Sequence, residues 1–134
     1  MKSASGIHTA LYRASGGRIA SGFQGMPVLL LTTTGRRSGK SRTNPLLYVR
    51  DGDALVVVGS NGGSDYTPGW WLNLQRDPRA EVEIGRVHKR VTARKASSEE
   101  HARLWAVFTS GFPGYAKYAT KTAREIPVVI LEPR

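Results

Sequence analysis

The sequence predicts one mainly β domain with flanking helices, built as an antiparallel barrel that is closed or partly closed. Its 134 residues suit a single domain, which buries roughly two-thirds of the surface of the unfolded chain. Fifteen glycines and seven prolines indicate many turns rather than a helical bundle. Six segments rich in strand formers are joined mostly by short turns, and they do not alternate with helices as a Rossmann fold requires.

The first half of the chain predicts a lead-in and three strands. Residues 1–25 predict an N-terminal lead-in with one amphipathic helical segment and a glycine-rich joint. Residues 27–34 predict the first strand, which ends at Gly35, and residues 43–50 predict the second. Asp51 and Gly52 are typical of a hairpin turn, which leads into a third strand over residues 54–60.

A helix and a second hairpin are predicted next. Thr67 followed by Pro68 indicates an N-cap with proline at the first helical position, and the helix must stop near Pro78. Two further strands, over residues 80–84 and 87–95, reverse at the glycine that lies between them.

The last third of the chain predicts two helices and a strand. Ser97 and Glu100 have the spacing of a capping box, and the helix that they start ends at Gly111. A shorter helical piece is predicted around residues 115–118, and residues 127–131 predict the final strand.

The charge of the chain is uneven. Twenty lysines and arginines against ten acidic residues give a net charge of +10, and residues 1–50 hold eight cations and no acid. Such a field attracts an anion, whether nucleic acid, anionic lipid or a phosphorylated cofactor. The absence of cysteine excludes disulfide scaffolds and thiolate catalysis, and the three widely spaced histidines give no indication of a metal site.

The segment 35–41 (GRRSGKS) superficially resembles a nucleotide-binding P-loop. It has three residues instead of four before the Gly-Lys pair, and the residues after it predict a strand rather than the helix that a P-loop opens. What remains is a glycine-flexible hairpin tip with four cations: Arg36, Arg37, Lys40 and Arg42. These residues suit a clamp for phosphate or carboxylate, and a solvated turn is an equally open interpretation.

Aromatic residues offer weaker indications. Trp70 and Trp71 stand at a helix start, where aromatic pairs are more typical of a core than of a site. Tyr115 and Tyr118 lie three residues apart, so that one helix face can project both hydroxyls into a pocket, or can simply pack both rings.

Five motifs occur together in the chain: residues 29–46 (LLLTTTGRRSGKSRTNPL), 51–52 (DG), 60–63 (SNGG), 68–74 (PGWWLNL) and 126–129 (IPVV). Together they resemble the deazaflavin-dependent nitroreductase family, which comprises flavin/deazaflavin oxidoreductases of the actinobacterial F420H2-dependent quinone reductase type. The resemblance runs from Met26 to Pro133. It implies a split β-barrel, as in the pyridoxamine-phosphate oxidases that bind flavin mononucleotide, over a single domain of residues 1–134.

The resemblance also implies a cofactor, coenzyme F420, and the residues that bind it. Arg36, Arg37, Ser38 and Arg42 are implied to hold its phosphate and acidic tail. A phosphodiester with several glutamates is a polyanion, which suits arginine contacts. The residues implied to line the ring system and ribityl chain are Thr43, Asn44, Pro45, Leu46, Leu47, Val58, Gly59, Ser60, Asn61, Gly69, Trp70, Trp71, Asn73 and Tyr115.

The implied reaction is transfer of a hydride from reduced F420 to a quinone, an activated alkene or a nitro compound. Because the deazaflavin carries the two-electron chemistry, the protein needs no acid-base dyad. Our hypothesis is that Tyr115 helps with the proton, that Ser60 donates a hydrogen bond to the acceptor, and that Tyr118 lies at the pocket mouth.

Two alternatives stay open at this point. A split barrel can instead bind flavin mononucleotide, haem or a fatty acid, and a basic domain can bind nucleic acid, although no interleaving of aromatic and basic residues favours the latter. The expected location is the cytoplasm. The amphipathic N-terminus adds peripheral contact with the inner face of the cell membrane as a further expectation.

Overall fold

The computed structural model describes residues 27–60 and 65–134 of the chain. The lead-in predicted for residues 1–25 and the candidate Asn61 lie outside the described residues. In chain order the described elements are β1 (Val28–Thr34), β2 (Ser41–Leu47), β3 (Val49–Asp51), β4 (Ala54–Val58), α1 (Gly69–Arg76), β5 (Arg79–Ile84), β6 (Val87–Lys95), α2 (Ser98–Gly111), α3 (Gly114–Lys121) and β7 (Val128–Pro133).

The strands form one antiparallel sheet in the order β2-β1-β5-β6-β7-β4-β3. Its two outermost strands, β2 and β3, are separated in sequence by Tyr48 alone. The sheet therefore curls until the chain itself joins its two ends, which confirms the predicted antiparallel barrel with flanking helices.

The prediction of one strand over residues 43–50 was wrong. The chain makes two strands there, because it leaves the end of the sheet beside β1 and enters the other end beside β4. Tyr48 lies at the bend with its ring buried, and its backbone N–H donates to the Pro27 carbonyl at 3.3 Å. A period-2 pattern does not reveal such a bend, since the alternation resumes after it.

Turns and helix ends agree with the sequence at most positions. Gly52 and Gly85 reverse their hairpins at φ values of 62° and 59°. The capping box of α2 is confirmed, since Ser97 Oγ accepts from the Glu100 N–H at 3.3 Å and the Glu100 carboxylate accepts from the Ser97 N–H at 2.9 Å. The start of α1 was predicted one residue too early: Pro68, not Thr67, is the N-cap, and it has no side-chain cap.

Two apolar clusters hold the fold together. The interior cluster contains Leu29, Leu31 and Val57 from the strands, and α1 contributes Trp70, Trp71 and Leu74 to it. The outer cluster joins the opposite face of β4 and β7 to Leu104, Phe108 and Phe112. Each fully buried aliphatic side chain contributes roughly 1.5–3 kcal/mol. The result is a barrel with α1 packed into its core and with α2 and α3 on its outside. No helix of the described residues is long and apolar enough to cross a membrane.

Candidate functional site

The hairpin between β1 and β2 presents the four predicted cations to solvent. Arg37 and Lys40 are exposed, and Arg36 and Arg42 are half-buried. Within residues 27–60 and 65–134, none of the four forms an ion pair with an acidic side chain. The hairpin is therefore a compact concentration of positive charge that no acidic side chain in the described part of the chain neutralises.

Glycines give the hairpin its shape. The Gly35 N–H donates to the Lys40 carbonyl at 2.7 Å, and the Gly39 N–H donates to the Gly35 carbonyl at 2.8 Å. A Cβ on Gly35 would lie 2.9 Å from Ser38 Oγ and 3.0 Å from the Lys40 oxygen, so no larger residue fits without a shift. Gly39 has φ +72°, a conformation that favours glycine. Ser38 Oγ accepts from the Lys40 N–H at 3.2 Å and completes the loop.

Arg36 is the cation that the fold holds most firmly. Its backbone N–H and its Nη1 both donate to Oδ1 of Asn73 on α1, at 3.1 and 3.0 Å. Asn73 Nδ2 in turn donates to Thr33 Oγ1 at 3.1 Å, and both of these side chains are buried. The guanidinium lies beside Gly69, whose added Cβ would stand 3.9 Å from Nη1.

Strand β2 is the second part of the candidate site. Among the described residues it pairs with β1 alone, so its other edge has no strand partner. Residues 42–47 are all half-buried, and the Thr43 and Thr32 hydroxyls are hydrogen-bonded at 2.8 Å. Leu46 packs against the interior cluster, whereas Leu47 packs against the outer one. The strand thus offers a polar end near the hairpin and an apolar end near α3.

The segment after β4 packs against Pro127, which precedes β7, and lies beside Pro68 at the start of α1. The Gly59 N–H donates to the Pro127 carbonyl at 2.9 Å, and a Cβ on Gly59 would lie only 2.9 Å from the Pro127 ring. Ser60 is 5% exposed, and its carbonyl accepts a 2.9 Å hydrogen bond from Arg124 Nη2. The hydroxyl predicted to assist catalysis therefore sits on a backbone that two contacts fix.

Tyr115 and Tyr118 pack together on α3. Their rings are 5.0 Å apart at 70°, and Tyr115 also meets the edge of Phe108 at 4.9 Å. Burial, reinforced by the neighbouring Tyr118, raises the pKa of Tyr115 to about 12. The Tyr115 hydroxyl therefore stays protonated at neutral pH and can donate a hydrogen bond.

The outer cluster brings three predicted residues together, since Tyr115, Leu47 and Val58 all pack in it. Arg36 and Asn73 form a separate group at the hairpin. Trp70 and Trp71 are buried in the interior cluster, at 6% and 8% exposure, as a core interpretation of this pair expects.

Sequence reasoning missed residues on the far side of the hairpin. A surface cavity of about 430 Å³ adjoins Arg36, and Arg76 and Arg79 also line it. Asp77 holds Arg79 through two hydrogen bonds of 3.0 and 3.1 Å, which lowers the pKa of that carboxyl. Arg76 follows Asn73 by one helical turn, so helical spacing could have revealed it. The residues that line the cavity are Thr34, Gly35, Arg36, Gly39, Arg76, Asp77 and Arg79.

Comparisons with known proteins address the family. A family model described as F420H(2)-dependent quinone reductase matches residues 4–133. An F420H(2)-dependent quinone reductase of Mycobacterium tuberculosis strain H37Rv is 40% identical over 132 residues, which span 96% of this chain and 89% of that protein.

Solved structures address both the family and the fold. The structure of an F420-H2 dependent reductase of the FDR-A type is 39% identical with a TM-score of 0.73, over 79% of this chain and 94% of that one. A putative pyridoxamine 5'-phosphate oxidase from Listeria innocua is 14% identical with a TM-score of 0.58, over 90% of this chain and 94% of that one. The latter likeness concerns the fold alone and confirms the expected split barrel.

Proposed function

Because this chain belongs to the F420H(2)-dependent quinone reductase family, we propose that its cationic hairpin and strand β2 form the coenzyme site. The protein is an F420H2-dependent quinone reductase, an oxidoreductase that takes its hydride from F420H2. The observation that carries the proposed site is the hairpin with four cations and no acidic partner among the described residues.

The anionic end of F420 fits this hairpin. A phosphodiester and a chain of glutamates present several oxygens, and arginine forks bind such groups through paired, charge-assisted hydrogen bonds. Arg36 and Arg42 flank Ser38, whose hydroxyl lies 3.5 Å from Arg42 Nη2. We assign the phosphate to Arg36, Ser38 and Arg42, and the first carboxylates of the tail to Arg37.

The planar ring fits the half-buried apolar part of β2 and the residues around it. Leu47, Val58 and Tyr115 pack in one cluster, and Gly59 and Ser60 follow directly from β4. We assign one ring wall to β2 and the other to the segment after β4, with α1 supporting both from the barrel core. The residues in this assignment are Thr43, Asn44, Pro45, Leu46, Leu47, Val58, Gly59, Ser60, Asn61, Gly69, Trp70, Trp71 and Tyr115.

When bound, the reduced coenzyme supplies a hydride, which together with one proton converts the quinone to its hydroquinone. The residues assigned above would hold the acceptor beside the bound coenzyme, which would restrict the two reactants to one orientation. We assign to Tyr115 a hydrogen bond to the quinone oxygen on which negative charge develops. Its pKa of about 12 favours donation of this bond over complete loss of the proton, so the proton itself comes from solvent. Ser60 donates a second bond, and Tyr118 borders the entrance.

The proposed reaction extends to other electron-poor molecules. Enones and nitroaromatics accept a hydride in the same way, and we propose them as slower acceptors than quinones. Contact of residues 1–25 with a membrane surface stays a prediction, since it concerns residues outside the described part of the chain.

Two measurements test this proposal. Titration with F420 at physiological salt is expected to give saturable binding at low micromolar concentration or tighter, with no comparable binding of flavin mononucleotide or single-stranded DNA. Anaerobic oxidation of F420H2, followed optically, is expected with quinones first and with enones and nitroaromatics more slowly. Preference for flavin mononucleotide, or absence of turnover with every quinone, would overturn the proposal.

A further inference from the structure

We propose that Asn73 is a positioning residue, which holds the Arg36 guanidinium ready for the coenzyme phosphate and does not itself line the ring. The inference rests on the proposed function, because it takes Arg36 as a phosphate ligand. The resemblance discussed above placed Asn73 in the ring wall, so the two assignments differ.

The side-chain oxygen of Asn73 already accepts two hydrogen bonds, which is its full capacity. Oδ1 accepts from both the backbone N–H and the Nη1 of Arg36, at 3.1 and 3.0 Å, and Nδ2 donates to Thr33 at 3.1 Å. An amide N–H and a guanidinium can only donate, so the carboxamide oxygen must face Arg36. Oδ1 therefore cannot accept a hydrogen bond from a coenzyme without giving up one of its bonds to Arg36, and at 5% exposure the side chain offers a ring little surface.

Anchoring matters because a free arginine is disordered. Its long side chain populates many rotamers, and part of this conformational entropy is lost whenever it binds a ligand. One Asn73 oxygen fixes both the main chain and the head group of Arg36, so this ordering is complete before the ligand arrives.

The choice of an amide also follows from charge. A carboxylate would hold an arginine equally well, as Asp77 holds Arg79 nearby, but it would neutralise the cation. Asn73 is uncharged and leaves the positive charge of Arg36 available to a phosphate. Arg36 and Arg79 line the same cavity, but Arg36 is held by an amide and Arg79 by a carboxylate. The amide is the partner that suits a cation with an anion-binding role.

The experiment measures the dissociation constant of two ligands, F420 and the same deazaflavin with only its ribityl chain, which lacks the phosphate and tail. Asn73→Ala is expected to weaken F420 by about tenfold and to leave the phosphate-free ligand unchanged. In an Arg36→Ala background, Asn73→Ala is expected to have no further effect on F420, because it acts through the missing side chain.

Asn73→Asp is the second variant, and it remains informative if the alanine variant does not fold. It keeps an oxygen facing Arg36 but adds a negative charge. It is therefore expected to weaken F420 by at least about tenfold, and to raise the KM for F420H2 with kcat at saturation unchanged. A purely structural role would not produce that split between KM and kcat.

Three results would overturn the inference: equal weakening of the phosphate-free ligand, an undiminished effect in the Arg36→Ala background, or full F420 affinity in Asn73→Asp. Failure of the proposed function looks different, since the wild-type protein would then not bind F420 tightly in the first place.

Discussion

The cations of the β1–β2 hairpin differ in their contacts from those around helix α2. Beside α2, Arg94 bonds Glu100 at 2.7 and 2.8 Å and Glu132 at 3.0 Å, and Arg103 bonds both oxygens of Asp51 at 3.1 Å. In the hairpin, Arg36 contacts an amide and Arg42 contacts a hydroxyl. Both regions are arginine-rich, yet within the ranges that the structure describes only the arginines beside α2 form ion pairs with acidic side chains.

The difference separates structural charge from binding charge. The ion pairs beside α2 join that helix to strands β3 and β6, and Arg94 on β6 is also paired with Glu132 on β7, although exposed pairs of this kind contribute little each. Among the described residues the hairpin cations have no acidic partner, so they repel one another. A ligand that binds there therefore relieves repulsion, whereas removal of a cation from the α2 side only loosens a contact.

Removal of both hairpin arginines is expected to have the largest effect. Arg36→Ala combined with Arg42→Ala deletes two charge-assisted sets of bonds to phosphate, each worth about 1.5–3 kcal/mol, so F420 affinity should fall by at least about a hundredfold. Calorimetric titration measures this change. The matched control is Arg103→Ala, which removes one cation from the paired region and should leave affinity unchanged; equal weakening in the control would erase the distinction between the two regions.

Substitution of Tyr115 tests whether helix α3 takes part in the reaction or only packs against the barrel. Tyr115→Phe removes the hydrogen bond to the acceptor and is expected to lower kcat by about tenfold or more while the affinity for F420 hardly changes. Because the pKa of Tyr115 is about 12, wild-type kcat should show no loss from this group up to about pH 10.

Stopped-flow oxidation of F420H2 by a quinone measures this effect, with Tyr118→Phe as the comparison. Full turnover in Tyr115→Phe, with an unchanged pH profile, would remove Tyr115 from the chemistry.

Substitution of one turn glycine in each region gives a further comparison: Gly35 lies in the β1–β2 hairpin, and Gly52 lies in the turn beside Asp51, the ion-pair partner of Arg103. Gly35→Ala forces a Cβ to within 3.0 Å of the Lys40 carbonyl, so the hairpin must shift and F420 affinity should fall severalfold. Gly52→Ala meets nothing within 4 Å but imposes φ +62° on alanine, which should destabilise the fold by about 1 kcal/mol with affinity unchanged. Thermal unfolding and titration of both variants measure the two quantities, and the reverse pattern would contradict the assignment.

Acid pH is expected to remove the stability that the ion pairs beside α2 add to the fold. This is the smallest of the predicted effects. Hydrogen bonds from Arg94 and the Ser97 N–H lower the pKa of Glu100 from 4.5 to about 2. A depressed carboxyl pKa stabilises the fold above the unfolded value, and this stabilisation disappears as the pH falls from 4.5 towards 2.

Glu100→Gln should therefore flatten the fall of Tm over this interval. Glu99→Gln is its control, since Glu99 forms no ion pair among the described residues. Identical pH profiles of wild type and Glu100→Gln would show that the network has no such role.

Local patterns predicted most of the fold. The capping box at Ser97 and the turn glycines Gly52 and Gly85 are short-range signals, and each occurs where the sequence placed it. The break at Tyr48 was missed because it arises from closure of the barrel, a long-range event that leaves alternation on both sides intact.

The candidate site was predictable only in part. The cations of residues 36–42 are visible as a cluster in the sequence, because one hairpin carries them all. The link from Arg36 to Asn73 spans 37 positions and depends on how α1 packs, so no local pattern contains it. The same holds for the Arg124 contact to the Ser60 carbonyl, which joins residues 64 positions apart.

The one-sided pairing of β2 has a consequence for self-association. An unpaired strand edge is a template for aggregation, and proteins protect such edges with proline and with like charges. Pro45 in the middle of β2 removes a backbone donor, and the cations at its start repel a second copy of the chain. A flat, anionic small molecule meets neither obstacle, so the same residues exclude another protein strand and admit a coenzyme.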